Sequence, residues 1–453
     1  MPTVRFKPSP RPEPPARART VSPARACAFA VVRRVFEQGA YADRAFTAEA
    51  AALPARERGL AMALAYGTVQ RRATLDHVAL RLCNRPLSQL DPPVMAALRL
   101  GLFQLLFLDG VADHAAVNES VELAKGVKRG GEGLVNAVLR RAAREGRGIL
   151  DQLTDADPES AATRHSVPLW LAELWWSELG ADQARALLRG VNQPAESSVR
   201  VNTLLMRRED VLSGLSLTAL PAPKLPEGII LDQPFDAHGS ELWAAGAIMP
   251  QSRGSMLVAR VLDPRPGDRV LDLCAAPGAK TTHLGALMRD EGQLVAVERH
   301  PGRADALGRT IARMRVGCAR VRLGDATKLE AEAVYDRVLV DPPCSGLGTL
   351  QSRPDLRWRT NPERIADLAG LQGRILDTAA MMLAPGGVLV YSVCTISRAE
   401  GERVIERFLA EHPRFSADDL SAELGHGRPG PHLQLRPDRD GTDGFFIARL
   451  RQR

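Results

Sequence analysis

The sequence predicts an α/β fold with an open, mainly parallel sheet and helices on both faces, preceded by an all-α bundle and a small α+β linker domain. Residues 22–145 show helical periodicity without strand-like alternation, whereas from residue 248 onward short Val- and Leu-rich segments alternate with amphipathic ones. At 453 residues the chain is longer than a single domain with one hydrophobic core usually is. We therefore expect a disordered basic tail followed by three domains, with boundaries at residues 1–21, 22–148, 149–246 and 247–453.

Composition and charge argue against a membrane-spanning or secreted protein. No apolar run approaches the roughly 18–20 residues that span a bilayer, and the Pro- and Arg-rich start lacks the apolar core of a signal peptide. These features predict a cytoplasmic protein without a membrane partner. The net charge of +7 favours a polyanionic partner, although solvated helix faces explain it equally well. The six cysteines are scattered without a C-x-x-C pair, which predicts neither a disulfide framework nor a metal site.

The first 120 or so residues after the tail predict a helical bundle. Val31, Val32 and Val35 recur on one helix face, and residues 94–108 are apolar enough for a buried helix. Residues 125–133 combine three basic side chains with glycines, which predicts a basic loop between two helices. Such a loop could contact phosphates, but an ordinary connection is the simpler interpretation.

Residues 149–246 have mixed character. A Trp-rich segment at residues 167–188 predicts an amphipathic helix pair, with its tryptophans in the core. Residues 198–203 alternate as a strand does, and residues 221–228 form a turn-rich break. This pattern predicts a small α+β domain.

The C-terminal part places polar side chains where predicted strands end. Strands are predicted at residues 269–273, 294–298, 320–323, 337–340, 388–392 and 445–450. The carboxyl ends of neighbouring parallel strands form the ligand-binding edge of an open α/β sheet. Side chains that follow these strands are therefore expected in one cleft.

The first three strand ends predict a site for a ribose-containing ligand. The first strand leads into a small-residue turn with Gly278, where a ligand can approach the backbone and the N-terminus of the next helix. Glu298 ends the second strand and could accept hydrogen bonds from a ribose diol, and Asp325 follows the third. The turn lacks G-x-G-x-x-G and the chain lacks a P-loop, so a pyrophosphate site is poorly supported.

The fourth and fifth strand ends bring two cysteines to the same cleft. Asp341 and Cys344 belong to an Asp-Pro-Pro-Cys-Ser-Gly motif, and Cys394 follows Tyr-Ser-Val at the end of the next strand. A single cysteine is usually a small buried apolar residue. Two cysteines at neighbouring strand ends favour a chemical role.

These motifs closely resemble the RNA cytosine-5 methyltransferase family, at residues 272–284, 341–348, 353–355, 372–376 and 383–396. Residues 98–107, 114–121 and 135–140 resemble the NusB-like RNA-binding helical domain. Together they are similar to the bacterial small-subunit ribosomal RNA branch, the RsmB/Sun/Fmu type. The resemblance implies a Rossmann-like domain that uses S-adenosylmethionine, and an RNA substrate, most specifically 16S rRNA.

The resemblance also implies roles for single residues. Cys394 would be the nucleophile, and Cys344 would assist product release. Thiolate addition at carbon 6 of cytosine makes carbon 5 enamine-like, so that it can attack the methyl sulfonium. Asp341 would hydrogen-bond the ring N3 and amino group. The residues implied to contact the cofactor are Cys274, Ala275, Ala276, Pro277, Gly278, Ala279, Lys280, Glu298, Asp325 and Asp341.

Two alternatives remain open from the sequence. The same chemistry could act on transfer RNA, and only the resemblance of the helical domain favours ribosomal RNA. The chain could instead be a non-catalytic RNA-binding or antitermination module on a methyltransferase scaffold. Retention of Cys394, Asp341 and the Gly278 turn favours an enzyme.

Overall fold

A computed structural model describes residues 21–127, 130–330, 334–421 and 430–452. The chain divides into two compact units, Met1–Gln152 and Leu153–Arg453. The predicted N-terminal tail, apart from residue 21, and Lys128 and Arg129 of the predicted basic loop lie outside the described residues.

The described part of the first unit is helical, as the sequence predicts. Its helices are α1 (Pro23–Gln38), α2 (Ala42–Glu49), α3 (Ala55–Gln70), α4 (Arg72–Leu82), α5 (Pro92–Phe107), α6 (Asp113–Lys125) and α7 (Gly131–Asp151). Helix α6 thus includes Lys125 and helix α7 begins at Gly131. The connection is therefore shorter than the predicted loop at residues 125–133.

Helix α5 forms the centre of this unit because it is apolar on almost every side. Twelve of its residues are buried, and five of the other helices contact it. Val31, Val32 and Val35 of α1 are also buried, which confirms the predicted apolar face. Apolar burial on this scale is the main stabilising contribution to a helical bundle.

The second unit begins with helices and a small antiparallel sheet. The helices are α8 (Pro158–His165), α9 (Leu169–Leu179) and α10 (Ala181–Gly190), followed by α11 (Arg208–Gly214) and α12 (Glu241–Ala244). The strands are β1 (Ser197–Val201), β2 (Ala219–Pro221), β3 (Gly228–Leu231) and β4 (Ile248–Pro250), in the order β2-β3-β1-β4. Trp175 of α9 is fully buried, as expected for a core tryptophan. Its cluster includes Leu347 and Ile396, so these helices pack beside the predicted cysteine motifs.

The remaining residues form the predicted open sheet with its covering helices. The strands are β5 (Arg269–Asp272), β6 (Gln293–Glu298), β7 (Ala319–Leu323), β8 (Tyr335–Val340), β9 (Leu383–Val393), β10 (Phe415–Ala417), β11 (Leu433–Gln434) and β12 (Phe446–Gln452). The helices are α13 (Arg253–Leu262), α14 (Ala279–Leu287), α15 (Pro301–Arg313), α16 (Leu356–Arg359), α17 (Pro362–Met382), α18 (Glu402–Glu411) and α19 (Pro437–Asp440). Two separate apolar clusters include residues of α13–α15 and of α17–α18, as expected when helices cover both faces.

The sheet has the order β10-β12-β9-β8-β5-β6-β7, and β11 pairs with β12. Strands β5 to β9 are parallel, whereas β12 runs antiparallel to β9 and β10. The chain passes from β5 outward to β6 and β7 and then returns to the other side of β5 with β8. This reversal creates a crevice beyond the carboxyl ends of β5 and β8.

One strand differs from the prediction. The sequence predicts a strand at residues 388–392, but β9 already begins at Leu383. Its pairing with β8 is interrupted between Tyr335 and Arg337, and Gly386 has a φ of 74°. The Pro-Gly-Gly segment therefore forms an irregularity inside the strand. Separately, among the described residues no helix is both long and apolar enough to cross a membrane.

Candidate active site

The turn after β5 approaches the cleft with its backbone. The Ala275 amide donates to the Val297 carbonyl at 2.9 Å, and Arg303 donates to the Ala276 carbonyl at 2.7 Å. Gly278 has a φ of 107°, and a Cβ there would lie 2.9 Å from Leu307. Only glycine meets both conditions, because this conformation is strained for other residues. Helix α14 then begins at Ala279 with its N-terminus beside the turn.

The small antiparallel sheet supports this turn, which the sequence does not reveal. Arg200 of β1 is fully buried and donates to the Thr282 hydroxyl at 2.9 Å and to the Ala279 carbonyl at 3.3 Å. Asn202 donates to the Met314 carbonyl at 2.7 Å, just beyond α15. The small sheet is thus tied to both helices that flank the Gly278 turn.

The predicted carboxylates lie at the expected strand ends. Glu298 is 5% exposed, accepts a hydrogen bond from the His300 amide at 2.9 Å and pairs with Arg303 at 3.3 Å. Asp325 is half-buried and accepts hydrogen bonds from the backbone amide and hydroxyl of Thr327 at 3.0 and 2.8 Å. These bonds lower the pKa of Asp325. Two anionic side chains therefore stand on neighbouring strands at one edge.

A third carboxylate, Asp272 at the end of β5, is almost fully buried. It accepts a hydrogen bond from the Thr281 hydroxyl at 2.7 Å. Burial raises the pKa of Asp272 to about 7, against the opposing effect of the Thr281 hydrogen bond. This side chain fixes the start of α14 from inside the turn.

Asp341 connects the turn to the strand that carries the second cysteine. Its carboxylate accepts a hydrogen bond from the Lys280 ammonium at 2.7 Å and from the Ser392 hydroxyl at 2.8 Å. Burial acts to lower the pKa of Lys280, but the negative charge of Asp341 and its hydrogen bond raise the pKa above its ordinary value. The Lys280 ammonium also lies 5.2 Å from the centre of the Phe445 ring. The cleft thus holds a positive charge that acts on both Asp341 and Cys394.

The two predicted cysteines meet in this cleft. The Cys344 and Cys394 sulfurs are 3.3 Å apart, within hydrogen-bonding distance for thiols. The Gly348 amide donates to the Cys394 carbonyl at 3.0 Å and joins the two motifs. The hydrogen bond to Cys394 and burial raise the pKa of the Cys344 thiol well above its usual value, and the charge of Glu400 adds to this effect. Cys344 therefore stays protonated at neutral pH, so it can donate to Cys394.

Cys274, which the sequence also brings to this region, differs from this pair. It packs against the apolar cluster that includes residues of α17 and α18, and burial raises its pKa. The structure gives no reactive partner for this thiol among the described residues.

The arrangement suits a cationic, ribose-containing ligand next to a pair of thiols. Glu298 and Asp325 offer carboxylates at neighbouring strand ends, and Gly278 lets the turn pack closely against Leu307, where a Cβ would clash. Five further residues contribute polar atoms around the cysteines, although the sequence patterns assign them no role. They are Ser345, Gln372, Tyr391, Ser392 and Glu400. The sequence feature that could have identified them is a polar residue within an otherwise apolar segment.

Three family descriptions match this chain. They are the 16S rRNA methyltransferase RsmB/F over residues 259–451, the NusB family over 22–144, and the RsmF/B-like ferredoxin-like domain over 167–238. The probable ribosomal RNA small subunit methyltransferase B of Synechocystis sp. is 37% identical over 448 residues, which cover 95% of this chain and 99% of that protein. The ribosomal RNA small subunit methyltransferase B of Thermus thermophilus is 38% identical over 400 residues, 88% of this chain and 90% of that protein. The crystal structure of PH0851 has a TM-score of 0.80 and 28% identity, covering 95% and 99% of the two chains.

Proposed function

We infer, since this chain belongs to the RsmB/F family of 16S rRNA methyltransferases, that it methylates carbon 5 of a cytosine in 16S rRNA with S-adenosylmethionine. The observation that carries this assignment is the pair of thiols, 3.3 Å apart, beside the Lys280–Asp341 ion pair. An enzyme that methylates an oxygen or an exocyclic nitrogen has no need for such a pair.

S-Adenosylmethionine supplies an electrophilic methyl group on a positively charged sulfur. We propose that Glu298 accepts hydrogen bonds from its ribose diol and that Asp325 contacts its adenosine moiety. The glycine turn would receive the ligand at the N-terminus of α14, where a close approach to the backbone is possible. The proposed cofactor contacts are Cys274, Ala275, Ala276, Pro277, Gly278, Ala279, Lys280, Glu298, Asp325 and Asp341.

The family resemblance implies that Cys394 is the nucleophile, and the cleft offers groups that can stabilise a thiolate there. Lys280 acts on Cys394, and the protonated Cys344 can donate a hydrogen bond to a Cys394 thiolate. Both effects stabilise negative charge on Cys394.

The proposed reaction proceeds by addition and elimination. The Cys394 sulfur forms a bond to carbon 6, and the electron pair of the 5,6 double bond becomes available at carbon 5. Carbon 5 takes the methyl group, and the electron pair of the broken S–CH3 bond would stay on the sulfur of S-adenosylhomocysteine. Asp341 can accept a hydrogen bond from the amino group of cytosine, while Lys280 can donate to the ring. Water then accepts the carbon-5 proton, and the C5–H electron pair re-forms the 5,6 double bond. The electron pair of the C6–S bond leaves with the Cys394 sulfur, and the Cys344 thiol stabilises this departing thiolate.

We propose that the helical domain at residues 22–148 supplies RNA affinity and that the catalytic domain supplies the chemistry. We also propose a cytoplasmic activity, because the proposed substrate is ribosomal RNA. The domain boundaries at 148 and 246 are part of this proposal.

The test is nucleotide-resolution mapping of 5-methylcytosine in total RNA from cells with and without this gene. One 16S cytosine should lose its methyl group without the gene and regain it with the wild-type chain, but not with Cys394→Ala. A change confined to transfer RNA would establish the alternative substrate. Unchanged methylation of all cytosines would contradict the enzymatic assignment and favour a binding module.

A further inference from the structure

Glu400 lies in the loop after Cys394 and is completely buried. Its carboxylate accepts a hydrogen bond from the Ser345 amide at 2.8 Å and another from the Ser345 hydroxyl. The Thr395 hydroxyl lies 3.4 Å from the same carboxylate and 2.8 Å from the Ser345 hydroxyl. Glu400 thus contacts the residue that follows each cysteine of the pair.

A second set of contacts reaches the residue before Cys344. The Gln372 side-chain amide, on α17, donates to Glu400 at 3.0 Å and to the Pro343 carbonyl at 3.0 Å. The Tyr391 hydroxyl lies 3.0 Å from the Gln372 side-chain oxygen and 2.6 Å from the Glu400 carbonyl. Glu400, Gln372 and Tyr391 are each 0% exposed. The network therefore makes hydrogen bonds with the residues on both sides of Cys344, which are Pro343 and Ser345.

A buried carboxylate is costly unless its hydrogen-bonding capacity is satisfied. Burial raises the pKa of Glu400, and the hydrogen bonds from Ser345, Gln372 and Thr395 oppose that effect. A general role in stabilising the core would not require these partners to be the neighbours of two reactive thiols. Here the donors to the carboxylate include both residues that follow the cysteines, at sequence separations of 55 and 5 residues.

We propose that Glu400 is a positioning residue that sets the spacing between the Cys344 and Cys394 sulfurs and so permits addition and elimination at one base. The inference rests on the proposed function, because it assumes that both thiols act on the same cytosine. Glu400 itself touches neither the base nor the cofactor in this scheme. It acts through Ser345, Thr395 and Gln372.

The experiment compares Glu400→Ala with wild type in the full-length chain. Diamide oxidises the Cys344 and Cys394 thiols to a disulfide, takes up their two electrons and two protons, and is itself reduced to the hydrazine. Peptide mapping then gives the rate at which this disulfide forms. We expect slower cross-linking and a kcat for RNA methylation lowered roughly 10- to 100-fold, because misplacement of a reacting group by about 1 Å costs up to about 10²-fold. The KM for S-adenosylmethionine should not change.

Glu400→Gln keeps one acceptor oxygen and should retain more of both rates than Glu400→Ala. The matched control is Glu402→Gln, which alters a carboxylate paired with Arg398 and His432 and should leave both rates unchanged. If Glu400→Ala does not fold, Ser345→Ala and Thr395→Val each remove one hydroxyl partner and should show the same two effects, more weakly.

Wild-type cross-linking together with wild-type kcat in a folded Glu400→Ala protein, or in both single-hydroxyl variants, would overturn the proposal. The proposal would also be overturned if kcat, cofactor affinity and melting temperature all fell while the cross-linking rate stayed unchanged. Glu400 would then have a purely structural role. The cross-linking arm needs no RNA. An inactive wild-type chain would therefore refute the proposed function while the Glu400-dependent spacing is still measured.

Discussion

Replacement of Glu298 by Ala tests the proposed cofactor edge. The side chain is 5% exposed at the end of β6, where its carboxylate meets the His300 amide and Arg303. Loss of a charge-assisted acceptor for the ribose diol should cost about 1.5–3 kcal/mol of binding. At about 1.4 kcal/mol per tenfold change, the Kd for S-adenosylmethionine should rise roughly 10- to 150-fold.

Isothermal calorimetry of wild type, Glu298→Ala and Glu298→Gln measures this directly. The Gln variant keeps an acceptor oxygen without the charge, so its Kd should fall between the other two. Glu291→Ala, an exposed carboxylate just before the opposite end of the same strand, should bind as wild type does. Unchanged affinity in a folded Glu298→Ala protein would refute the ribose assignment.

Three further predictions concern the turn, a buried acid and the helical unit. Gly278→Ala should abolish cofactor binding in calorimetry, because its Cβ would lie 2.9 Å from Leu307 at a φ of 107°; normal binding would contradict the tight-turn argument. The pKa of Asp272 is raised to about 7 from an ordinary 3.8, so the folded state retains a proton that the unfolded state loses, and unfolding free energy should fall as pH rises through that interval. Asp272→Asn should remove this pH-dependent loss of unfolding free energy, which is at most ~4 kcal/mol at about 1.4 kcal/mol per pKa unit. Urea unfolding of both proteins between about pH 4 and pH 8 measures it, and the same pH dependence in the variant and the wild type would contradict the prediction. A chain starting at Leu153 should bind S-adenosylmethionine normally but bind 16S rRNA weakly in filter binding, and full RNA affinity would refute the role of the helical unit.

The fold class and the strand ends could be predicted because they depend on local patterns. Val- and Leu-rich strands, a glycine turn and acids at strand ends are visible within a few residues. The irregularity inside β9 could not be predicted, because a Pro-Gly-Gly segment is typical of a turn. Its inclusion in the strand depends on pairing with β8.

The support around the site depends on contacts between distant parts of the chain. Gln372 and Glu400 are 28 residues apart, and Ser345 and Glu400 are 55 apart. Arg200 reaches Thr282 across 82 residues. No sequence spacing encodes these partnerships, because packing of helices against the sheet creates them. Local sequence patterns therefore identify the side chains proposed for chemistry but not those that hold them in place.

In the proposed reaction Cys394 attacks carbon 6 and Cys344 assists its release. These two roles are separated by incubating Cys394→Ala and Cys344→Ala with 16S rRNA and S-adenosylmethionine and resolving the products by denaturing electrophoresis. Cys344→Ala should accumulate a covalent protein–RNA complex, because the bond forms but the departing thiolate lacks its thiol partner at 3.3 Å. Cys394→Ala should give neither adduct nor methylated RNA. A trapped adduct with Cys394→Ala and none with Cys344→Ala would reverse the two roles, and no adduct from either would contradict covalent catalysis by this pair.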